Sequence, residues 1–338
     1  MEVASEERSS HRVVKRRTVL MGGAAAAFAR VVTVRAEERF PSRPIRILIP
    51  FAPGGITDTM ARLLAERLSA RLANAPVVAE NKAGATGIIA MREVAAAPPD
   101  GHTLMVAGLS SVVLVPAVNP GAKLAPLTDF TPLALAADYP IVMVVNRKLP
   151  VHSVEEFVAY AKSKPGGVSY GSVGVGSIHQ LVSELFSQQT GIQMIHVPSR
   201  GGPASLMSLL AGDLDVMFEV LPVTMPYIES GEFRALAVLS PERVPRLPAV
   251  PTMVEQRLGD VVLSSWIGVY GPAGIPPALR DRLSNLLVAI VQEPETAARL
   301  RQIGFEPRPL NTAAFTDFHR EQAERWGSFL AERGIRME

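Results

Sequence analysis

The 338-residue sequence has no cysteine. Disulfides, thiolate-bound zinc, iron–sulfur clusters and thiol catalysis are therefore excluded, although the compartment stays open. There is also no apolar run long enough for a membrane span. The nearest, Leu104 to Val118, is short and is broken by Ser110, Ser111 and Pro116. With 48% hydrophobic residues and a mean hydropathy of +0.21, the apolar side chains must fill soluble cores instead. Length alone fits about two domains. Nucleotide motifs are missing as well: there is no G-x-x-x-x-G-K-[ST], and Gly174-Val175-Gly176 runs into Ser177, Ile178 and His179 without the third glycine of a dinucleotide fingerprint. No H-E-x-x-H occurs, and the histidines are scattered at 11, 102, 152, 179, 196 and 319. Neither a metal site nor a cofactor is expected. The one G-x-S-x-G match, Gly167 to Gly171, places Ser169 inside an expected strand rather than on the sharp strand-to-helix turn a nucleophile needs. No catalytic residue is assigned.

The body also lacks a basic surplus. The isoelectric point of about 9.0 comes from the first 36 residues, which hold seven of the 34 Lys and Arg and three of the 32 acids. The remaining 27 basic and 29 acidic residues leave a net charge of −2, so nothing argues for nucleic-acid binding. That basic segment reads as an export signal. Arg16-Arg17 precedes Thr18 to Met21 and a weakly apolar, Gly/Ala-rich stretch from Gly22 to Ala29, the pattern of a Tat signal peptide, with Sec as the other route. Two small-residue cleavage sites compete, after Ala29 and after Ala36. The second is preferred because Arg30 and Arg35 then lie before the cut. Residues 1–36 are accordingly assigned to the signal, and the mature chain to the periplasm.

Beyond it, strands and helices alternate. Ile45 to Phe51 reads as a buried strand, residues 58–72 as a helix with Met60, Leu63, Leu64, Leu68 and Leu72 on one face, and Val77 to Glu80 as a second strand. A turn at 84–87, a helix over 88–97 and a strand from His102 to Ala107 follow. The pattern restarts after Tyr139: strand 141–146, helix 153–164 opened by a Ser153/Glu156 capping box, strand 168–171, helix 178–189, strand 194–197, helix 203–211, and strands 216–220 and 234–239. A strand at 266–270, a turn-rich loop and helices over 278–291 and 313–332 close the chain. Two such runs predict two α/β lobes with largely parallel sheets.

Three glycine-rich loops each join an expected strand to an expected helix. They are Pro53-Gly54-Gly55-Ile56-Thr57-Asp58, Gly171 to Ser177 (with Ser172, Gly174 and Gly176), and Arg200-Gly201-Gly202-Pro203. Helix N-termini expose unpaired N–H groups and the positive end of the dipole, which suits an anion. Ligands of open α/β sheets bind outside the carboxyl ends of the strands. Each loop is equally an ordinary turn with an N-cap. Together they favour an anion site that needs few charged side chains. Asp58 is placed either to orient a ligand's donor or simply to complement its helix dipole. Arg200 is set to meet a carboxylate, or to pair with Asp213 or Asp215. His179 stands near a helix start, as a ligand donor or a structural one.

With these motifs in order, the chain resembles the Bug family, the TctC-like receptors of tripartite tricarboxylate transporters. The markers run from about Pro44 to about Trp326. They include Pro50-Phe51-Ala52-Pro53-Gly54-Gly55 with Asp58, Val78 to Gly87, Pro99-Asp100-Gly101-His102, Asp129-Phe130-Thr131-Pro132, Tyr170-Gly171-Ser172 through Leu181, Val197 to Gly202, and Trp266-Ile267-Gly268. The resemblance implies a two-lobed periplasmic-binding-protein fold of the Venus-flytrap kind, type II-like, with lobe one at 44–142 plus 263–338 and lobe two at 143–262. It implies a monomer that takes a small carboxylate in the interlobe cleft: a di- or tricarboxylate, an acidic amino acid or an aromatic carboxylate. It also implies a large and a small membrane subunit as partners. Pro53, Gly54, Gly55, Thr57 and Asp58 would line one wall and Ser172, Gly174, Gly176, Ser177 and His179 the other, with Arg200, Gly201 and Gly202 nearby. Two departures stand out. Glu219 replaces an aspartate of the family pattern, which alters the size or charge of the cleft, and Ser199 replaces an aromatic, which widens it. The competing readings are a sensing partner of a sensor kinase and a periplasmic enzyme using His179 and Asp58 as acid and base.

Overall fold

The computed structural model describes residues 40–332. The expected signal peptide and both cleavage sites lie outside the described residues. Strand β1 (Ile45–Ile49) is apolar except for Arg46, whose guanidinium leaves the core to pair with Glu80 and Glu93. The buried run Ile47, Leu48 and Ile49 contributes about 1.5–3 kcal/mol per side chain. Helix α1 (Ile56–Arg71) carries the chain to β2 (Val77–Asn81), and helix α2 (Ile88–Ala95) to β3 (Thr103–Gly108); β2 and β3 flank β1 in parallel. The apolar segment Leu104 to Val118 is β3 followed by a π turn (Ser110–Leu114) and the short helix α3 (Val115–Val118); the short helix α4 (Pro126–Asp129) comes next. No described helix is long and apolar enough to cross a membrane.

Strand β4 (Phe130–Asn146) runs for 17 residues, although only its last six read as a strand in the sequence. Pro132 and Pro140 hide the rest, since proline breaks an interior ladder. The ladder tolerates Pro132 at a register shift. Pro140 stands where β4 changes partners: it pairs with Ser264 of β9 (Ser264–Pro272), while Ile141 pairs with Val220 of β7 (Met217–Val220). β4 therefore belongs to two sheets.

Helix α5 (Val154–Ser163) opens with the expected capping box. Ser153 Oγ accepts from Glu156 N–H, and the Glu156 carboxylate accepts from His152 N–H. Next come β5 (Val168–Ser172), helix α6 (Ile178–Thr190), β6 (Met194–Pro198), helix α7 (Gly202–Ala211), β7, helix α8 (Leu221–Glu229) and β8 (Phe233–Val238). β7 and β8 flank β4 antiparallel; β5 pairs with β6 in parallel and bridges to β7 at Tyr170 and Val216. The chain returns through β9 and ends in helices α9 (Pro277–Gln292) and α10 (Pro294–Gln302), strand β10 (Glu306–Leu310) and helix α11 (Thr312–Glu332). The first sheet has the order β10-β4-β9-β3-β1-β2, parallel only across β2-β1-β3. The sheets are thus mixed rather than largely parallel, because each strand that carries the chain between lobes meets its neighbours head to tail.

Candidate functional site

The carboxyl ends of β1, β3, β5 and β7 open onto one small chamber between the lobes, of about 50 Å³. Phe51, Ala52, Gly55, Ile56 and Thr57 follow β1; Ser110 and Ser111 follow Gly108 of β3. Val173, Ile178 and His179 follow β5, Gly202 follows β6, and Glu219 and Val220 end β7. The sequence logic of loops outside strand ends holds here. Three uncapped helices begin at this chamber. No side chain caps α1, α7 or α8, and their first-turn N–H groups and dipoles give it a positive field. Four buried polar atoms of its wall have no hydrogen-bond partner: Thr57 Oγ1, Ser111 Oγ, His179 Nδ1 and Glu219 Oε2.

A wider opening of about 540 Å³ lies outside it. It is lined by Pro50, Phe51 and residues 83–86 on one side and by Val173 to Val175, Ser199 and Arg200 on the other. Phe51 and Val173 border both spaces. Arg200 is exposed on this rim. It does not share Asp215, whose two oxygens are held by Lys164 Nζ at 2.7 Å, with Ser169 and Tyr160 also bonded to the carboxylate. Ser169, in mid-strand, is thus a structural donor. Ser199 bonds Ser172 O and Ser205 Oγ, and a side chain of this size leaves the outer space open.

Of the residues singled out in the sequence, Gly55, Thr57, His179, Gly202 and Glu219 line the inner chamber, and Gly174 and Arg200 the outer opening. Pro53, Gly54, Asp58, Ser172, Gly176, Ser177 and Gly201 line neither. Asp58 is buried and fully engaged. Its carboxylate accepts from Gly54 N–H (3.0 Å), from Arg62 twice (2.8 and 3.0 Å) and from Asn81 Nδ2 (3.0 Å). Burial alone would raise its pKa; the bonds from Arg62, Gly54 and Asn81 outweigh that and hold it below the usual carboxylate range. Asp58 therefore shapes the first loop. Ser177 caps α6 by accepting from Gln180 N–H, and Ser172 Oγ is bonded to His196 Nε2 at 2.5 Å.

The glycines outside the chamber bring the lobes together. A Cβ on Gly174 would stand 2.9 Å from Thr86 Oγ1, and one on Gly176 3.1 Å from Val115; both have positive φ, +125° and +81°. Gly201 faces Ala52, and Gly54 faces Pro203. Beside these glycines, Thr86 Oγ1–H donates across to Val175 O (2.8 Å) and Ile178 N–H to Ser110 Oγ (3.0 Å). The Ser110-Ser111 pair carried the same strand-then-small-residue signal as the other loops, hidden by the apolar run around it. Tyr139 carried no local signal. It reaches the chamber from β4, where Ser265 Oγ donates to its hydroxyl, and burial raises its pKa.

The profile of the tripartite tricarboxylate transporter family receptor, TctC, matches residues 60–335. The chain is 32% identical over 312 residues to protein BugT of Bordetella pertussis, covering 92% of this chain and 95% of BugT. It belongs to the TctC receptor family. Among solved structures, R. palustris Rpa4515 with adipate superposes with a TM-score of 0.84 at 32% identity, covering 88% of this chain and 99% of that one. MatC of Rhodopseudomonas palustris with bound malate gives 0.81 at 30%, covering 86% and 99%. TctC proteins are two-lobed periplasmic solute-binding receptors and not enzymes. In keeping with that, the acid–base pair imagined for His179 and Asp58 is not assembled: Asp58 is bonded to Arg62, and His179 Nε2 to Glu219 Oε1 at 2.8 Å. No group of three His, Asp or Glu side chains able to hold a metal occurs among the described residues.

Proposed function

We propose that this TctC receptor captures a small carboxylate between its lobes in the periplasm and presents it to the large and small membrane subunits of a tripartite tricarboxylate transporter. The observation that carries this reading is the convergence of uncapped helix N-termini from both lobes on a chamber whose wall keeps unpaired buried polar atoms. Such a site offers an anion preset donors without an opposing cation. The adipate and malate held by the two R. palustris relatives are ligands of this class. Gly55, Thr57, Ser111 and Gly202 are the proposed carboxylate contacts, with Arg200 and Gly174 at the entrance. The proposed lobes are 44–142 plus 263–338 and 143–262, hinged where β4 and the return to β9 cross. A ligand that bridges the cleft favours the closed form by touching both sides. The receptor acts as a monomer, delivered by the signal in residues 1–36.

A thermal-shift screen of the purified protein against small carboxylates tests this. A ligand at a hundred times its dissociation constant adds about 2.7 kcal/mol, several degrees of midpoint. Thr57→Val, which removes an unpaired hydroxyl from the chamber, should reduce that shift. Absence of a shift with every carboxylate would refute the reading.

A further inference from the structure

A buried carboxylate stands inside what is otherwise an anion site. Glu219 is 1% exposed and lines the inner chamber. Its Oε1 accepts from Val220 N–H at 2.7 Å and pairs with His179 Nε2 at 2.8 Å. Its Oε2 has no partner. That oxygen lies 3.3 Å from where a Cβ on Gly202 would stand, beside the uncapped start of α7. An unpaired buried carboxylate oxygen is costly, and it is relieved only by a donor from within the chamber.

His179 points to the same conclusion. In the neutral tautomer that donates Nε2–H to Glu219, Nδ1 is a lone-pair acceptor, and this atom also lacks a partner. The inner wall therefore presents two acceptors, while the hydroxyls of Thr57 and Ser111 can serve in either sense. The negative charge of Glu219 already uses part of the helix-terminal field. A second ligand carboxylate placed here would meet Oε2 at close range in a site shielded from water, where like charges repel strongly.

We propose that Glu219 is a specificity-determining residue. It disfavours ligands with a carboxylate at each end. It selects ligands with one carboxylate and, at the other end, an amide, amine or hydroxyl whose N–H or O–H bonds Oε2. This rests on the receptor reading above and names the ligand class within it. The carboxylate takes the first turn of α1 at Gly55 to Thr57, and the donor faces Glu219 and His179.

Calorimetric titration with size-matched pairs decides the matter: succinate against succinamate, and glutarate against 5-aminopentanoate. The wild-type protein is expected to bind the donor-bearing member of a pair at least about tenfold more tightly. Glu219→Gln, whose carboxamide can donate to a carboxylate, should cut that ratio to within about threefold or reverse it. The wild-type comparison stands even if this variant fails to fold. Dicarboxylates bound as tightly as their partners would overturn the inference and leave the receptor reading intact. A preference for donors that Glu219→Gln leaves unchanged would overturn the assignment to Glu219. Binding of neither class would overturn the receptor reading and the inference together.

Discussion

Asp58 gathers Gly54 N–H, Arg62 and Asn81 on one buried carboxylate, and so fixes the turn from which α1 starts. Asp58→Asn keeps the shape but loses the charge, and is expected to cost about 2 kcal/mol at pH 7. The folded-state pKa lies below the unfolded value, so this contribution is present above about pH 4 and fades as pH falls through the folded pKa. Urea titrations of wild type and variant should differ at pH 7 and converge in strong acid. His319 behaves differently. It is fully buried on α11, its Nε2 at 3.1 Å from Val112 O, and burial lowers its pKa to about 4, outweighing that hydrogen bond. A depressed histidine favours the neutral folded state above about pH 6.5 and withdraws that stability as pH falls towards 4. The loss amounts to roughly 3 kcal/mol across this window. His319→Gln should flatten the pH dependence of the melting temperature between pH 6.5 and 4. At this scale the sequence exposed chemistry but not partners. Thr57 and His179 were legible because they sit in or beside glycine-rich loops, and Glu219 because it departs from the family pattern at the end of a strand. The role of Asp58 was not, because its partner Asn81 comes from another strand. Tyr139 enters from a hinge strand with no motif around it.

Among the elements, helices with a clean apolar stripe were readable: α1, α6, α9 and α11 fall within a residue or two of their expected limits. Those rich in proline were not. Helix α8 carries Pro222 and Pro226, α10 begins at Pro294, and β10 holds Pro307 and Pro309. In each, tertiary packing supports a backbone that local rules discourage. The glycine loops were located correctly, but their burden is shared between ligand approach and lobe approach. Gly174→Val tests the second. Its Cβ would collide with Thr86 Oγ1, and φ of +125° is strained for valine. The lobes should then close incompletely, weakening ligand affinity by about tenfold or more while circular dichroism stays unchanged. Unaltered affinity would show that this contact does not govern closure.

At the scale of the molecule, β4 makes the two lobes one cooperative object. Its 17 residues pair with β9 and β10 in one sheet and with β7 and β8 in the other. Neither sheet can melt without unpairing a strand that continues into its neighbour. Calorimetry should show one unfolding transition with matching calorimetric and van't Hoff enthalpies; two separated peaks would contradict this. The α/β character and lobe count were legible from the alternation of elements. The sharing of β4 was not, because a strand pattern cannot say where its partners change.

The position of β9 governs how this chain assembles. β9 fills the gap between β3 and β4, yet about 120 residues separate it from β4 along the chain. A chain emerging from its N-terminus exposes the edges of β3 and β4 until Pro272 has appeared, after every residue between β4 and β9. Open edges of this kind recruit other chains. Completion of the fold ends that exposure, because β9 then pairs with β3 on one side and β4 on the other.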